Sequence, residues 1–295
     1  MLQSARSFLE MIRFSHTLFA LPFALLSAIL AWHTKEQGFS WLELAGILLC
    51  MVLARSTAMA FNRLADRDLD AGNPRTARRH LPAGELSVPV VWLFTLACAA
   101  GFVLATLIFL YAEPPNPWPI ILSGPVLLFI CAYSYTKRFT ALAHFWLGAS
   151  LLLAPLAAWI AIRGMDDLVI PLMLGLAVCF WVTGFDIIYA CQDVAYDRQA
   201  KLRSVPAMLG VRPALRVAFL CHLVMLGLLV AFAWIASLGV IYLCGVAAVA
   251  ALLLVEHYLV TPDDLTRVNQ AFFHVNAVIS VGLLVVVLVQ LYFGP

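Results

Sequence analysis

Nine apolar stretches, each about as long as a membrane-crossing helix, constrain the fold of this sequence more than any other feature. A helix needs roughly 20 apolar residues to cross the hydrocarbon core of a bilayer. Hydrophobic residues make up 64% of the chain and charged residues 12%, whereas a soluble domain has about 25% charged residues. The sequence therefore predicts an all-α integral membrane protein. The predicted spans are residues 15–33, 41–62, 88–111, 118–136, 141–162, 168–190, 213–234, 238–260 and 272–293.

The basic residues predict how the chain is oriented in the membrane. Of the 18 lysines and arginines, 15 lie on one side of the predicted spans, Lys35 and Arg163 lie on the other, and Arg55 lies within the second span. Lysine and arginine are enriched in cytoplasmic loops. We therefore expect a multi-pass protein of the cell inner membrane with its N-terminus in the cytoplasm. The net charge of +2 does not indicate nucleic-acid binding.

Two clusters of polar residues, rich in aspartate, lie at the ends of the second and sixth predicted spans. Their members are Asn62, Asp66 and Asp70 in the first cluster and Asp186, Tyr189, Asp193 and Asp197 in the second. Side chains four residues apart share one face of a helix, and exposed carboxylates at a membrane boundary are costly. A cation must compensate for their charge, and a divalent ion shared with phosphate oxygens is the simplest hypothesis.

The two clusters also indicate an internal near-repeat. Their aspartate pairs are separated by the same 127 residues, and a basic loop follows each pair. Because membrane sites often form between such repeats, we expect both clusters at the mouth of a central cavity open to the cytoplasm. We predict one polytopic domain, 1–295, with two four-helix blocks, 1–137 and 138–260, and a ninth span, 272–293.

Further polar residues lie along the predicted path from this mouth into the bilayer. Arg55 precedes Asn62 by seven residues, which is two helical turns, and Asp186 precedes Asp193 by the same interval. An ionisable residue inside a membrane indicates function by default. A purely structural interpretation also stays open, in which Arg55 and Asp186 pair with each other.

Basic side chains accompany the acidic clusters. Arg79 lies in the loop after the first cluster, Lys201 follows the second, and Tyr133 and Lys137 lie one turn apart at the end of the fourth span. Carboxylates and basic side chains at one membrane surface are typical of a site for a polyanion. Metal ions and guanidinium groups would together hold that polyanion. The alternative for Lys137 is a lysine that extends to the membrane surface.

The cysteines and histidines show no ligand spacing typical of a metal site. The seven cysteines lie mostly within the predicted spans, where small apolar packing is their expected role. We predict packing or interfacial roles for the histidines of the later spans, because none has a partner histidine at helical spacing. These are His144, His222, His257 and His274.

The motifs together resemble those of the UbiA superfamily of intramembrane aromatic prenyltransferases. The resemblance rests on Asn62-x3-Asp66-x3-Asp70, Asp193-x3-Asp197 and Tyr133-x3-Lys137, and it extends from Arg13 through the ninth span. The loop from Arg75 to Gly84 also resembles that family. Many members carry Asn-Asp at the start of the first motif, whereas Arg63 follows Asn62 here. This departure leaves the predicted metal-binding positions intact, so it bears on the identity of the substrate more than on catalysis.

The resemblance implies transfer of a polyprenyl group from a polyprenyl diphosphate to an aromatic acid, with Mg²⁺ as cofactor. It implies a leaving diphosphate neutralised by cations, and an allylic carbocation that alkylates the ring. The implied roles are metal binding for Asn62, Asp66, Asp70, Asp193 and Asp197, diphosphate binding for Arg79, Lys137, Tyr133 and Lys201, cation stabilisation or proton acceptance for Asp186 and Tyr189, and binding of the aromatic carboxylate for Arg55.

Several alternatives are compatible with parts of this pattern. The acceptor that fits first is 4-hydroxybenzoate, in ubiquinone synthesis, but a dihydroxynaphthoate of a menaquinone route also carries a carboxylate for Arg55. A CDP-alcohol phosphotransferase would have one acidic motif with a D-G-x2-A-R core, which the residues from Asp70 to Arg75 do not match. A cation transporter fits less well, because arginines beside the acids would repel a metal ion on its own.

Overall fold

The computed structural model describes Phe8, Glu10, Met11 and residues 19–294, apart from the side chains of residues 270–272. Within these ranges the chain forms helices and no β-strand, with an isolated β-bridge between Thr261 and Asp264. The predicted all-α class is therefore confirmed.

Twelve helices define the fold in the part of the chain that the structure describes. A short helical stretch, Val268–Gln270, and a π-helical turn, Ala271–Val275, precede the last of them. The twelve are α1 (Leu21–His33), α2 (Trp41–Ala65), α3 (Arg67–Gly72), α4 (Val88–Thr106), α5 (Trp118–Thr136), α6 (Ala143–Arg163), α7 (Val169–Ala190), α8 (Val194–Gln199), α9 (Val205–Leu209), α10 (Val211–Ile235), α11 (Val240–Leu259) and α12 (Asn276–Phe293).

Eight helical stretches among the described residues are long and apolar enough to cross a membrane. They correspond to the second through ninth predicted spans, and α4 and α5 begin at the predicted residues. The first predicted span is the exception. Its described part contains α1, whose 13 residues fall short of the roughly 20 that a crossing requires, and residues 15–18 lie outside the described ranges.

The chain forms two compact units. The first comprises Met1–Thr17 and Glu36–Tyr135, and the second comprises Leu18–Lys35 and Thr136–Pro295. The second unit therefore includes α1, which is separated in sequence from its neighbours there. A hydrogen bond of 2.7 Å from the Ser27 hydroxyl to the Pro155 carbonyl ties α1 to α6. The predicted repeat of 1–137 and 138–260 remains a prediction.

In the first unit, α2 packs against α4 and supports the first acidic cluster. Ala60 and Leu64 on α2 and Val91 on α4 are buried together with Met11. This apolar contact fixes the last turns of α2, from which the first cluster follows. Near the start of α2, a Cβ at Gly46 would contact the ring of Phe109.

In the second unit, α7 is the most buried of the candidate spans and lies between α6 and α10. Ile187, Ile188 and Cys191 form a buried cluster with Val205 and with residues of α10. This cluster supports the end of α7, where the second acidic motif begins.

Gly148 lets α6 and α7 approach closely. A Cβ at this position would collide with the carbonyl of Cys179 on α7, so any larger residue would separate the two helices. His144 lies four residues earlier, on the same face of α6. The close approach therefore holds His144 against α7.

Candidate active site

Each acidic cluster is built on the same local backbone arrangement. Asp66 lies between α2 and α3 with φ −99° and ψ 7°, and Asp193 precedes α8 with φ −102° and ψ 4°. The following helices, α3 and α8, have six residues each. Asp70 and Asp197 lie inside these short helices. The sequence repeat of the motifs is thus matched by a repeat of local conformation, each within its own unit.

In the first cluster, arginine side chains already compensate the charge of Asp70. Arg79 Nη1 donates to both carboxylate oxygens of Asp70, at 2.6 and 2.8 Å, and Arg63 Nη1 lies 3.7 Å from Oδ2. The sequence argument named a metal ion as the simplest cation here, and the structure adds guanidinium groups of the protein itself beside the carboxylate. A guanidinium has five N–H donors, so Arg79 can hold Asp70 and still bind an anion.

Asn62 connects the first aspartate to a second helix of the same unit. Its Nδ2 donates to Asp66 Oδ2 at 2.9 Å and to the hydroxyl of Ser134 on α5 at 3.4 Å. Ser134 is buried, and its neighbour Tyr133 is half-buried. Arg55, two turns before Asn62 on α2, is half-buried as well.

In the second cluster, a serine orders the buried Asp197. The Ser204 hydroxyl donates to Asp197 Oδ2 at 2.7 Å, and its oxygen accepts from the backbone N–H of Ala207 at 3.2 Å, capping α9. The same loop contacts Lys137, because the N–H of Arg203 donates to the Lys137 carbonyl at 2.7 Å. Lys201 is exposed and adopts a left-handed conformation, with φ 56°.

Three of the four aspartates predicted to bind metal are buried, which corrects the expectation that they are exposed. Asp70, Asp193 and Asp197 are 6%, 9% and 3% exposed, and Asp66 is half-buried. Within the described ranges, no three His, Cys, Asp or Glu side chains come together as a complete metal site. Each pair offers hard carboxylate oxygens, which Mg²⁺ prefers. The donor set fits this ion if phosphate oxygens and water complete the coordination.

Asp186 is bound by a histidine that the sequence analysis did not assign to the site. His144 Nδ1 lies 2.6 Å from Asp186 Oδ2. The His144 ring is completely buried, whereas 15% of the Asp186 side chain is exposed. The predicted packing role of His144 is therefore incomplete. No sequence signal could have found this pair, because 42 residues separate its members.

Two other histidines also have polar roles that the sequence analysis missed. His222 Nδ1 and His257 Nε2 are 2.9 Å apart, a polar contact that the predicted packing or interfacial roles did not include. The pair lies on α10 and α11, which are adjacent in the second unit. Helical spacing could not reveal it, because the partners are on different helices.

Comparisons with known proteins identify relatives of this chain. A model of the UbiA prenyltransferase family matches residues 20–278. The chain is 31% identical to a 4-hydroxybenzoate octaprenyltransferase of Aromatoleum aromaticum, over 87% of this chain and 88% of that protein. It is 33% identical to a protein of the same name from Nitrosomonas europaea, over 80% of each chain.

Solved structures show the same fold. An apo UbiA homolog from Aeropyrum pernix superposes with a TM-score of 0.83 at 28% identity, covering 94% of this chain and 98% of that one. A UbiA homolog from Archaeoglobus fulgidus, solved with DMAPP and Mg²⁺, has a TM-score of 0.64 at 20% identity, covering 93% of this chain and 99% of that one. These similarities confirm the all-α fold and its likeness to UbiA homologues.

Proposed function

This chain belongs to the UbiA prenyltransferase family, and we propose that it transfers a polyprenyl group from a polyprenyl diphosphate to 4-hydroxybenzoate in ubiquinone synthesis. The observation that carries this proposal is the pair of Asp-x3-Asp motifs, which share one local geometry and adjoin basic side chains. The relatives named 4-hydroxybenzoate octaprenyltransferase support this acceptor.

The reaction joins an allylic carbon to a ring carbon. The C–O bond to the diphosphate breaks and its electron pair leaves with the diphosphate. The ring carbon then bonds to the allylic carbon, and the ring loses a proton. Arg79, Lys137, Tyr133 and Lys201 would bind the diphosphate. Arg79 can do so from its place beside Asp70, because its remaining N–H donors match phosphate oxygens.

Five side chains would hold the metal ions that accompany the diphosphate. Bound Mg²⁺ would neutralise the charge that develops on the leaving diphosphate. The oxygen-rich donor set and the Mg²⁺ in a structural neighbour support this assignment. The five are Asn62, Asp66, Asp70, Asp193 and Asp197.

Three residues deeper in the membrane would act on the organic groups. Asp186 and Tyr189 would stabilise the allylic cation or accept the ring proton, because a carboxylate and a phenol both offer electron-rich oxygen. Arg55 would hold the carboxylate of the aromatic acid through its planar guanidinium. Its place two turns before Asn62 on α2 supports a partner deeper than the diphosphate.

An assay of membranes that contain the protein tests this function. With labelled polyprenyl diphosphate, Mg²⁺ and 4-hydroxybenzoate, we expect prenylated acid and an equal amount of released diphosphate. Omitting either substrate or the metal should stop both the formation of prenylated acid and the release of diphosphate. Product with a dihydroxynaphthoate alone would contradict the proposed acceptor. Binding of metal without any diphosphate release would favour a transporter.

We also propose nine spans around a cavity open to the cytoplasm, with a cytoplasmic N-terminus in the cell inner membrane. The strong asymmetry of the basic residues supports this orientation. The 25 residues of α2 at about 1.5 Å each can cross the hydrocarbon core.

Cysteine labelling in intact cells should place the two ends of α2 on opposite sides of the membrane. Gln37 and Ala83 are exposed in the loops before and after α2. An impermeant maleimide should label Gln37→Cys and leave Ala83→Cys unlabelled until the cells are opened. The unsubstituted protein measures the background from its own cysteines. Equal labelling of both variants in intact cells would contradict this topology.

A further inference from the structure

The buried imidazole of His144 bridges two parts of the second unit. His144 Nδ1 is 2.6 Å from Asp186 Oδ2 on α7. On the other side of the ring, Nε2 accepts a hydrogen bond of 3.3 Å from the backbone N–H of Val205. Both ring nitrogens are thus engaged, and the ring is fully buried.

These two contacts determine where the ring carries its proton. A backbone N–H can only donate, so Nε2 must be the nitrogen without hydrogen. A neutral imidazole has one N–H, which then lies on Nδ1 and donates to Asp186 Oδ2. The network therefore makes Asp186 Oδ2 the acceptor in this hydrogen bond. A proton on Nε2 would face the N–H of Val205 and is disfavoured.

Both ends of this bridge are anchored. The single hydroxyl proton of Thr183 on α7 is shared between the Cys179 carbonyl at 2.8 Å and the His144 carbonyl at 3.3 Å, and Gly148 keeps α6 close to α7. Val205 is the first residue of α9, whose cap Ser204 binds Asp197. One loop thus orients Asp197 through Ser204 and, through the next residue, fixes the ring that binds Asp186.

We propose that His144 is a positioning residue, which holds the Asp186 carboxylate in one orientation. Through Val205 and Ser204, it also couples the position of Asp186 to the position of Asp197. This inference rests on the proposed prenyl transfer. With Oδ2 engaged by His144, Oδ1 is the oxygen that faces the allylic cation and takes the ring proton as the new carbon–carbon bond forms. The electron pair of the broken C–H bond restores the aromatic ring. His144 keeps its own proton throughout.

Three variants separate this role from simple packing. His144→Ala should lower kcat by about 10–100-fold, the usual cost of removing a residue that orients a functional group. The KM for prenyl diphosphate and the Mg²⁺ requirement should stay within about threefold. His144→Asn places an amide N–H near the position of Nδ1 but leaves Val205 without its acceptor. It should recover much of kcat without recovering the Tm. His257→Asn, at the hydrogen-bonded pair of His222 and His257, is the matched control and should keep wild-type kcat.

A second measurement does not depend on turnover. In protein labelled with ¹⁵N-histidine, His144 should give the Nδ1–H tautomer, and the signal should vanish in His144→Ala. Equal kcat for the Ala and Asn variants, or an Nε2–H tautomer, would overturn the positioning role. If the wild-type protein forms no prenylated acid but shows the Nδ1–H tautomer, the proposed function fails while the geometry stands.

Discussion

Replacing Asp66 and Asp193 together by alanine is expected to lower turnover by about 10³-fold or more. Loss of one fixed electrostatic contact to a transition state commonly costs about 10²–10³ in kcat, and this double variant removes one carboxylate from each motif proposed to bind metal. The protein should still fold, because the Arg79–Asp70 and Ser204–Asp197 contacts that order the two motifs remain. Release of diphosphate under saturating Mg²⁺ measures the effect.

Asp68→Ala is the matched control for this experiment. Asp68 belongs to the same stretch, but its side chain is 89% exposed and pairs with Arg67. Its loss should leave both turnover and the Mg²⁺ requirement close to wild type, since surface ion pairs contribute little. Near wild-type turnover in the double variant would contradict a metal site formed by both motifs. A comparable loss in Asp68→Ala would point to general damage of the region.

Arg55→Ala is expected to raise the KM for the aromatic acid by a factor of about 30 or more. Truncating one partner of a buried charge-assisted pair commonly costs about 2–5 kcal/mol, and a planar carboxylate is the natural bidentate partner of a guanidinium. The KM for the prenyl diphosphate should change little, because the diphosphate is assigned to residues such as Arg79 and Lys137. Steady-state kinetics with each substrate varied in turn provides both values.

Arg55→Lys tests whether geometry matters as well as charge. Lysine keeps the positive charge but loses the planar pair of donors, so it should recover only part of the affinity for the acid. If Arg55→Ala instead weakened prenyl diphosphate and left the KM for the acid unchanged, the proposed role would be wrong. Arg55 would then be a structural residue of α2.

Most of the helices could be predicted from the sequence, because hydropathy is a local property of the chain. The structure confirms helices at the predicted starts, as for α4 and α5, and both are long and apolar enough to cross a membrane. The first span was harder to predict from the sequence. The apolar run predicted there extends over residues 15–33, whereas the described helix α1 begins at Leu21 and belongs to the second unit. Which unit a helix joins depends on contacts distant in sequence, such as that between Ser27 and Pro155.

The aspartates of the site were also predictable, since their four-residue spacing and their repetition after 127 residues are visible in the sequence. The side chains that bind these aspartates were not predictable from the sequence. Arg79 lies nine residues from Asp70, on the far side of a turn whose course depends on packing. The burial of Asp70 and Asp197 also contradicts the exposed position that a boundary location suggested. Folding of the loops after each short helix covers these carboxylates.

The sequence by itself determined the class of fold, the family and the motifs whose aspartates are proposed to bind metal, because apolar length and motif spacing are encoded over a few consecutive residues. Only the tertiary structure decided which side chains and backbone groups form hydrogen bonds and ion pairs with those residues. His144 meets Asp186 because Gly148 allows α6 to approach α7 closely, and Val205 meets His144 because Ser204 caps α9 beside Asp197. Such hydrogen bonds join residues from separate helices, so their partners are chosen by packing in three dimensions.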